Sequence, residues 1–316
     1  MAEPARAHRL RSGMQRAGAA VAKRLASSVS SAAARVTPVD PPVQRLALSR
    51  GDIGYTDEPG SSAGCPVIVA LHGGPGSVHD FRYIGGALGS RARLVRLDLP
   101  GHGSSAEHVA ESPSTKHAAE AAKEACDLLG LGDSKVVVMG HSLGAQIALE
   151  LAVQLGPARV AGMCMLAPVS LRPHQALRPY WLVQALSSAL TLPLVGDALF
   201  KPLIWLLYTQ LLGFDPKRTS AAESAFTMRQ VGLLDFERAA SNARAIKAYG
   251  VPAMVCWATD DPILEPAIAK ELGAALPAGP RLEFSSGGHF MNKHHAAEVV
   301  DALLDMLGSA AGSAAP

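Results

Sequence analysis

Apolar residues in this chain cluster in short runs separated by breaks rich in glycine, proline and serine. Pro66-Val67-Ile68-Val69-Ala70-Leu71, Arg93-Leu94-Val95-Arg96-Leu97, Lys135-Val136-Val137-Val138-Met139 and Ala253-Met254-Val255-Cys256-Trp257 are too short and too β-branched for amphipathic helices. They have the length and character of strands buried on both faces. These runs predict strands at 67–71, 93–97, 135–139, 162–167, 251–257 and 281–285. Residues 43–57 read as an opening hairpin around Gly51-Asp52. Helix formers predict helices at about 114–130, 142–155, 265–275 and 294–307. Alternating strands and helices imply an α/β fold, a mostly parallel eight-stranded sheet with helices on both faces.

The pattern breaks between the strands at 162–167 and 251–257, where about 80 residues intervene, well beyond ordinary loop length. The first half of this insertion is strongly apolar, with Tyr180-Trp181-Leu182-Val183, Leu192-Pro193-Leu194-Val195 and Leu203-Ile204-Trp205-Leu206-Leu207-Tyr208. Gln184, Ser187, Ser188, Asp197, Lys201, Pro193 and Pro202 interrupt any run long enough to span a bilayer. The second half, Pro216 to Tyr249, is amphipathic and more charged.

Composition adds scale and two terminal segments. With 316 residues, 48% hydrophobic and 18% charged, the chain can bury a large core as one domain with an insertion. The net charge of +2 conceals an asymmetry: seven basic residues against Glu3 give residues 1–37 a balance of +6, leaving −4 for the remainder. The body therefore carries no basic stripe, which argues against a nucleic-acid partner. Wound as a helix, the leader sets Leu10, Met14, Val21 and Leu25 opposite Arg9, Arg16 and Lys23. An Arg- and Ser-rich, acid-poor amphipathic leader predicts a mitochondrial or plastid transit peptide, the alternative being a disordered tail on a cytoplasmic protein. The scattered cysteines Cys65, Cys126, Cys164 and Cys256 predict free thiols. The organisation expected is leader 1–42, core 43–169, insertion 170–246, core 247–307 and a disordered tail at 308–316.

Candidate chemistry sits where strands end. Gly140-His141-Ser142-Leu143-Gly144 reads G-x-S-x-G between a strand and a helix, the setting of a nucleophile elbow that exposes a serine hydroxyl above the sheet. His72-Gly73-Gly74-Pro75-Gly76 follows another strand, and such a loop can aim backbone N–H groups into a cleft; Gly74 and Leu143 N–H are the candidate oxyanion donors. Asp260-Asp261 follow the 251–257 strand, and His289 follows the last one, so serine, aspartate and histidine come in the order of a hydrolase triad. His72, His102 and His141 read as local structural support, Asp98 as the organiser of its own loop, and His294-His295 lack the further ligands of a metal site.

These motifs, with Asp98-Leu99-Pro100-Gly101-His102-Gly103-Ser104 and the final Gly287-Gly288-His289, resemble the α/β-hydrolase fold superfamily over roughly residues 43–307. The HGGPG loop is similar to that of proline iminopeptidases, but those enzymes carry tryptophan in the elbow, where this chain has Leu143. Epoxide hydrolases and haloalkane dehalogenases use an aspartate nucleophile, where this chain has Ser142. In related chains the triad acid lies three residues after a strand-ending glycine; Ala258 occupies that position here and points to Asp261 over Asp260. The resemblance makes the insertion a helical lid, which can rest on a membrane surface.

The chemistry implied is hydrolysis of a carboxylic ester, of medium or long acyl chain or lipid-derived. Ser142 is the nucleophile, His289 the base and Asp261 its orienting acid. A small-molecule acyl substrate is the expected partner, and no metal or cofactor is required. Cleavage of an amide or of a C–C bond by the same machinery is an alternative, as is a protein that keeps the fold and uses the cleft only for binding. Among the insertion's apolar residues, those not spent on packing are expected to line an acyl pocket.

Overall fold

A computed structural model describes residues 38–62, 64–107, 112–132 and 134–313, so the leader at 1–37 lies outside the described residues. Eight strands form one sheet: β1 (Gln44–Leu48), β2 (Gly51–Glu58), β3 (Val67–Leu71), β4 (Arg93–Leu97), β5 (Val136–His141), β6 (Val160–Leu166), β7 (Ala253–Ala258) and β8 (Arg281–Phe284). Their order across the sheet is β1-β2-β4-β3-β5-β6-β7-β8. β2 runs antiparallel to both its neighbours, and every pairing from β4 to β8 is parallel. The hairpin turn is Ser49-Arg50, because Leu48 pairs with Gly51; the expected turn at Gly51-Asp52 is already strand.

Alternate residues of each central strand feed two separate cores, as the pleat requires. Val69 and Leu71 of β3 with Val136 and Val138 of β5 face one core. That face is covered by α2 (Thr115–Cys126), α3 (Leu143–Leu155), α7 (Phe236–Tyr249) and α8 (Pro266–Ala275). Ile68, Ala70, Val137 and Met139 face the other, beneath α1 (Arg82–Leu88), α9 (Met291–His294) and α10 (Ala296–Ser313). The short α1 was not expected from the sequence: glycines at 85 and 86 hide its helical period, and Ile84 and Leu88 supply its buried side.

The insertion contributes α4 (Tyr180–Ala189), α5 (Lys201–Leu206) and α6 (Ala221–Gly232). A third core, including Leu177, Val183, Ile204, Tyr208, Met228 and Val231, joins these helices to Leu143, Leu264 and Ile268 of the sheet domain. Two expected boundaries shift. Helix α7, assigned by its amphipathic sequence to the insertion, places Ala239, Ala243 and Ile246 in the sheet's own core. At the other end, helix α10 continues to Ser313, into the segment read as a disordered tail, since serine and alanine there do not oppose helix.

The chain just before β1 is also part of the domain. Arg96 of β4 is fully buried, and its guanidinium binds Asp40 Oδ1 at 2.6 Å together with the Glu58 carboxylate. Asp40 Oδ2 meets His79 Nδ1 at 2.7 Å. The folded unit therefore begins before residue 43. Replacing Asp40 by Ala should leave a buried guanidinium half-satisfied and cost about 1–3 kcal/mol, read as a lower urea midpoint with unchanged slope. A midpoint equal to that of the parent protein would show that water replaces Asp40 without loss.

Candidate active site

Every candidate residue lies at the carboxyl end of a parallel strand, where helices and loops diverge and leave a crevice. Ser142 links β5 to α3 with φ 52 and ψ −122, a conformation that side-chain-bearing residues rarely adopt. Three backbone hydrogen bonds hold it there: Ser142 N–H to Leu166 O, Val169 N–H to Ser142 O and Ala145 N–H to Ser142 O, each 3.0 Å. The flanking glycines are required by space. A Cβ on Gly140 would lie 2.6 Å from Ala145 Cα, and one on Gly144 would collide with the carbonyl oxygens of Leu71 and His72.

The hydroxyl of Ser142 donates to His289 Nε2 at 2.9 Å, and His289 Nδ1–H donates to Asp261 Oδ2 at 2.8 Å. The other Asp261 oxygen accepts the N–H groups of Ile263 (2.8 Å) and Leu264 (3.0 Å). Burial alone would raise the Asp261 carboxyl; the His289 ring and these N–H donors outweigh it and hold the group below its ordinary value. Asp260 points elsewhere. Its carboxylate accepts Gly288 N–H at 2.8 Å and Gly287 N–H at 3.3 Å, pinning the loop that carries His289.

The remaining histidines support loops, as their positions suggested. His72 donates from Nδ1 to Gly73 O (2.6 Å) and accepts Leu99 N–H at Nε2 (2.9 Å). His102 donates from Nδ1 to Pro100 O (3.0 Å) and accepts the Thr227 hydroxyl at Nε2 (2.8 Å). His141 donates from Nε2 to the carbonyl of His289 itself (2.9 Å). Asp98 accepts Val78 N–H (2.8 Å) and both the N–H and hydroxyl of Ser104 (2.9 Å each), so it organises its loop and lies outside the Ser-His-Asp line. His295 stacks on Phe284 with ring centroids 4.0 Å apart and donates to Ser286 O (2.8 Å).

Leu143 is the first residue of α3, where N–H groups have no partner within the helix. Gly74 lies against it: a Cβ on Gly74 would come within 2.9 Å of the Leu143 side chain and 2.8 Å of Thr227. Around the serine only a chamber of about 10 Å³ is open, bounded by Gly73, Gly74, His141, Ser142 and five further residues. Those five, Pro75, Asp80, Phe214, His289 and Phe290, also line an outer cleft of about 1110 Å³. Phe214 and Phe290 meet edge-to-face at 6.4 Å in this partition. Burial outweighs the neighbouring His72 and holds the Asp80 carboxyl above its ordinary value.

Sequence reasoning missed Asp80, Phe214, Phe290 and Thr227. Phe290 sits beside His289, but the other three carry no motif, and only folding brings them to Ser142. The expectation of an acyl pocket built from the insertion's first half is overturned. Trp181, Leu182, Leu192, Leu194, Leu203 and Leu206 point to the exterior, Ile204 is buried in the third core, and the Tyr180 hydroxyl and Trp205 Nε1 bond Val231 O and Thr219 O. The apolar part of the cleft's lining comes instead from residues such as Leu212 and Phe214, further along, and Ile263 and Phe290 of the sheet domain, beside charged residues such as Asp80, Arg82, Asp215, Arg218 and Glu223. Hydrophobicity identifies residues that avoid water in isolation, but says nothing of which side of a helix meets the site.

Burial pushes His102 and His141 down to about 3, aided by His72 and His289 respectively, and burial and then His289 push His174 down to about 4. The unfolded chain binds more protons at these three groups from about pH 6.5 downward, so acidification through that range must lower stability. Asp80 opposes the trend with one proton. The urea midpoint should therefore be lower at pH 5 than at pH 7.5; an equal or higher midpoint at pH 5 would contradict burial of the three rings in neutral form.

Residues 66–296 match the family model described as alpha/beta hydrolase fold. The chain is 26% identical over 255 residues to the dihydrolipoyllysine-residue acetyltransferase component of the acetoin cleaving system of Pseudomonas putida, covering 79% of this chain and 65% of that one. It is 36% identical over 123 residues to the magnesium-chelatase 30 kDa subunit of Rhodobacter capsulatus, covering 38% of this chain and 42% of the relative. Both relatives are thus matched over less than two thirds of their length. Among solved structures, haloalkane dehalogenase DbeA from Bradyrhizobium elkani superposes with TM-score 0.70 at 17% identity, covering 86% of this chain and 99% of that one. A thermophilic esterase from Thermogutta terrifontis superposes with TM-score 0.64 at 17% identity, covering 85% and 99%. With a family match across most of its length and this sheet order, the chain belongs to the alpha/beta hydrolase fold family.

Proposed function

We propose that this protein cleaves carboxylic esters through a covalent acyl-enzyme on Ser142. The observation that carries the reading is the unbroken line of hydrogen bonds from Ser142 Oγ through His289 to Asp261. As Ser142 attacks the ester carbon, its proton passes to His289 Nε2, and Asp261 stabilises the imidazolium and fixes its orientation. The N–H groups of Gly74 and Leu143 receive the negative charge on the former carbonyl oxygen. His289 returns the proton to the departing alcohol, the C–O bond breaks, and a water molecule activated by the same ring releases the acid. The dehalogenase structures share the fold, but a serine at the elbow supports acyl transfer over halide displacement. The likeness to an esterase structure agrees with this reading.

The insertion acts as a lid in this scheme, since its Leu212 and Phe214 join Ile263 and Phe290 around the cleft. Phe214 and Phe290 bound the chamber at the serine, with Leu212 and Ile263 in the outer cleft beyond, and these apolar side chains favour a medium- or long-chain acyl group. Entry of such a chain requires Phe214 or Phe290 to swing out of the partition, because the inner chamber has room for roughly one water molecule.

Ser142→Ala should abolish labelling by a fluorophosphonate and reduce ester turnover by about 10⁴–10⁶-fold; labelling that persists on another serine would refute the nucleophile. Asp261→Asn should lower kcat far more than Asp260→Asn, because only the former touches the imidazole. The Asp260 variant loosens the loop of Gly287 and Gly288 and should show chiefly a reduced Tm; equal losses of kcat would break the assignment. Octanoyl esters should exceed acetyl esters in kcat/KM by more than about tenfold, below the roughly 0.8 kcal/mol per buried methylene that full burial would give. A flat or falling profile would return the substrate to small polar esters or amides.

A further inference from the structure

The outer side of the insertion is unlike the rest of the surface. Thirteen large apolar residues are exposed among the described residues, and nine of them fall between positions 181 and 211. Leu199, Leu203 and Leu206 follow the i, i+4, i+7 spacing of one helical face, while Ile204 and Tyr208 turn inward to the third core. Leu194 forms the tip of the preceding turn at φ 62 and is 86% exposed. A leucine there accepts a left-handed backbone, which costs energy, and packs into no core in return. Trp181, at the start of α4, is 67% exposed.

We infer that this face, from Trp181 to Leu211, docks on the interface of a lipid bilayer, with Leu194 and Trp181 entering the acyl region. Three observations favour lipid over a protein partner or a second copy. The exposed groups are mainly leucines, a residue under-represented among the side chains that anchor protein interfaces but suited, with tryptophan, to the apolar face of interfacial helices. From 180 to 214 the only charged residues are Asp197 and Lys201, which pair with each other at 3.2 Å, so the face offers a protein partner no charge pattern to recognise. The segment also runs on directly into Leu212 and Phe214, which line the cleft, so the docked face adjoins the mouth of the site. No helix among the described residues is long and apolar enough to cross a membrane.

The choice of lipid rests partly on the ester-hydrolase reading, and the test separates the two. The full-chain protein is co-sedimented with vesicles of phosphatidylcholine, alone and with about 30% phosphatidylglycerol, at low and high salt. It should partition onto both, with little effect of salt, because the contact buries aliphatic surface and no unpaired charge. Trp181→Ser/Leu194→Ser/Leu199→Ser should reduce partitioning at least about tenfold and leave hydrolysis of p-nitrophenyl acetate unchanged. Leu194→Ser alone, at a position with no buried contact, guards against misfolding of the triple variant and should reduce partitioning severalfold. Ser142→Ala should bind vesicles like the parent protein, so failure of the catalytic reading leaves the docking result legible. The inference is overturned if the parent protein stays in the supernatant or the variants bind as well as it does. Binding confined to anionic vesicles at low salt would also overturn it. So would a parent dimer that the triple substitution converts to monomers in sedimentation velocity, which would assign the face to a second copy.

Discussion

The tight packing of the β5–turn–α3 unit against the end of β3 is the constraint on which the site depends. Gly144 sits so close to the carbonyls of Leu71 and His72 that no side chain fits there, and Gly140 is closed off by Ala145. Together they force the chain to reverse from strand to helix within one residue, which leaves Ser142 at φ 52. Holding a serine there costs about 1–3 kcal/mol, offset by the hydrogen bonds to Leu166 and Val169. One geometric event therefore does two things: it lifts the hydroxyl to His289, and it starts helix α3 at the very next residue, Leu143.

Around this turn, polar groups are spent on fixing loops rather than on solvent. Asp98 holds the 98–105 loop to Val78, and Asp260 holds the 287–289 loop to the end of β7. His141 donates to the carbonyl of His289, so the elbow and the histidine loop lock each other. Thr227, from the insertion, binds His102 and leaves no room for a side chain at Gly74, tying helix α6 to the loop after β3. The buried rings that make these links remain neutral through most of the acid range, which keeps them from adding positive charge next to His289. Neighbouring aspartates thus have opposite duties: Asp261 faces the imidazole, and Asp260 the backbone beneath it.

The insertion has two apolar sides with different consequences. Its inner side, through Ile204, Tyr208, Met228 and Val231, packs on Leu143 and Ile268 and roofs the elbow. Its outer side keeps leucines in contact with solvent at a cost that no internal packing offsets. A small chamber at Ser142, an aromatic partition of Phe214 and Phe290 and a far larger cleft beyond them lie in succession from the serine to the surface.

Much of this was legible in the sequence, because local rules govern it. The β-branched runs are buried on both faces whatever surrounds them, so the parallel strands and the two-sided sheet could be read from residues such as Val136, Val137 and Val138 alone. Ser142 and its glycines could be read because the elbow is a local steric problem, and His289 because its loop follows a strand. Helix α1 was hidden by its two glycines, and α7 was assigned to the insertion because an amphipathic pattern reports a buried face but not its partner. The aromatic partition, the tie from Thr227 to His102 and the outward direction of Trp181 and Leu194 depend on contacts between residues far apart in the chain. Side-chain chemistry determined which residues could react and which avoid water. Only the packing of the insertion on the sheet decided which of those apolar residues face Ser142 and which face away, since that depends on the rotation of each helix about its own axis.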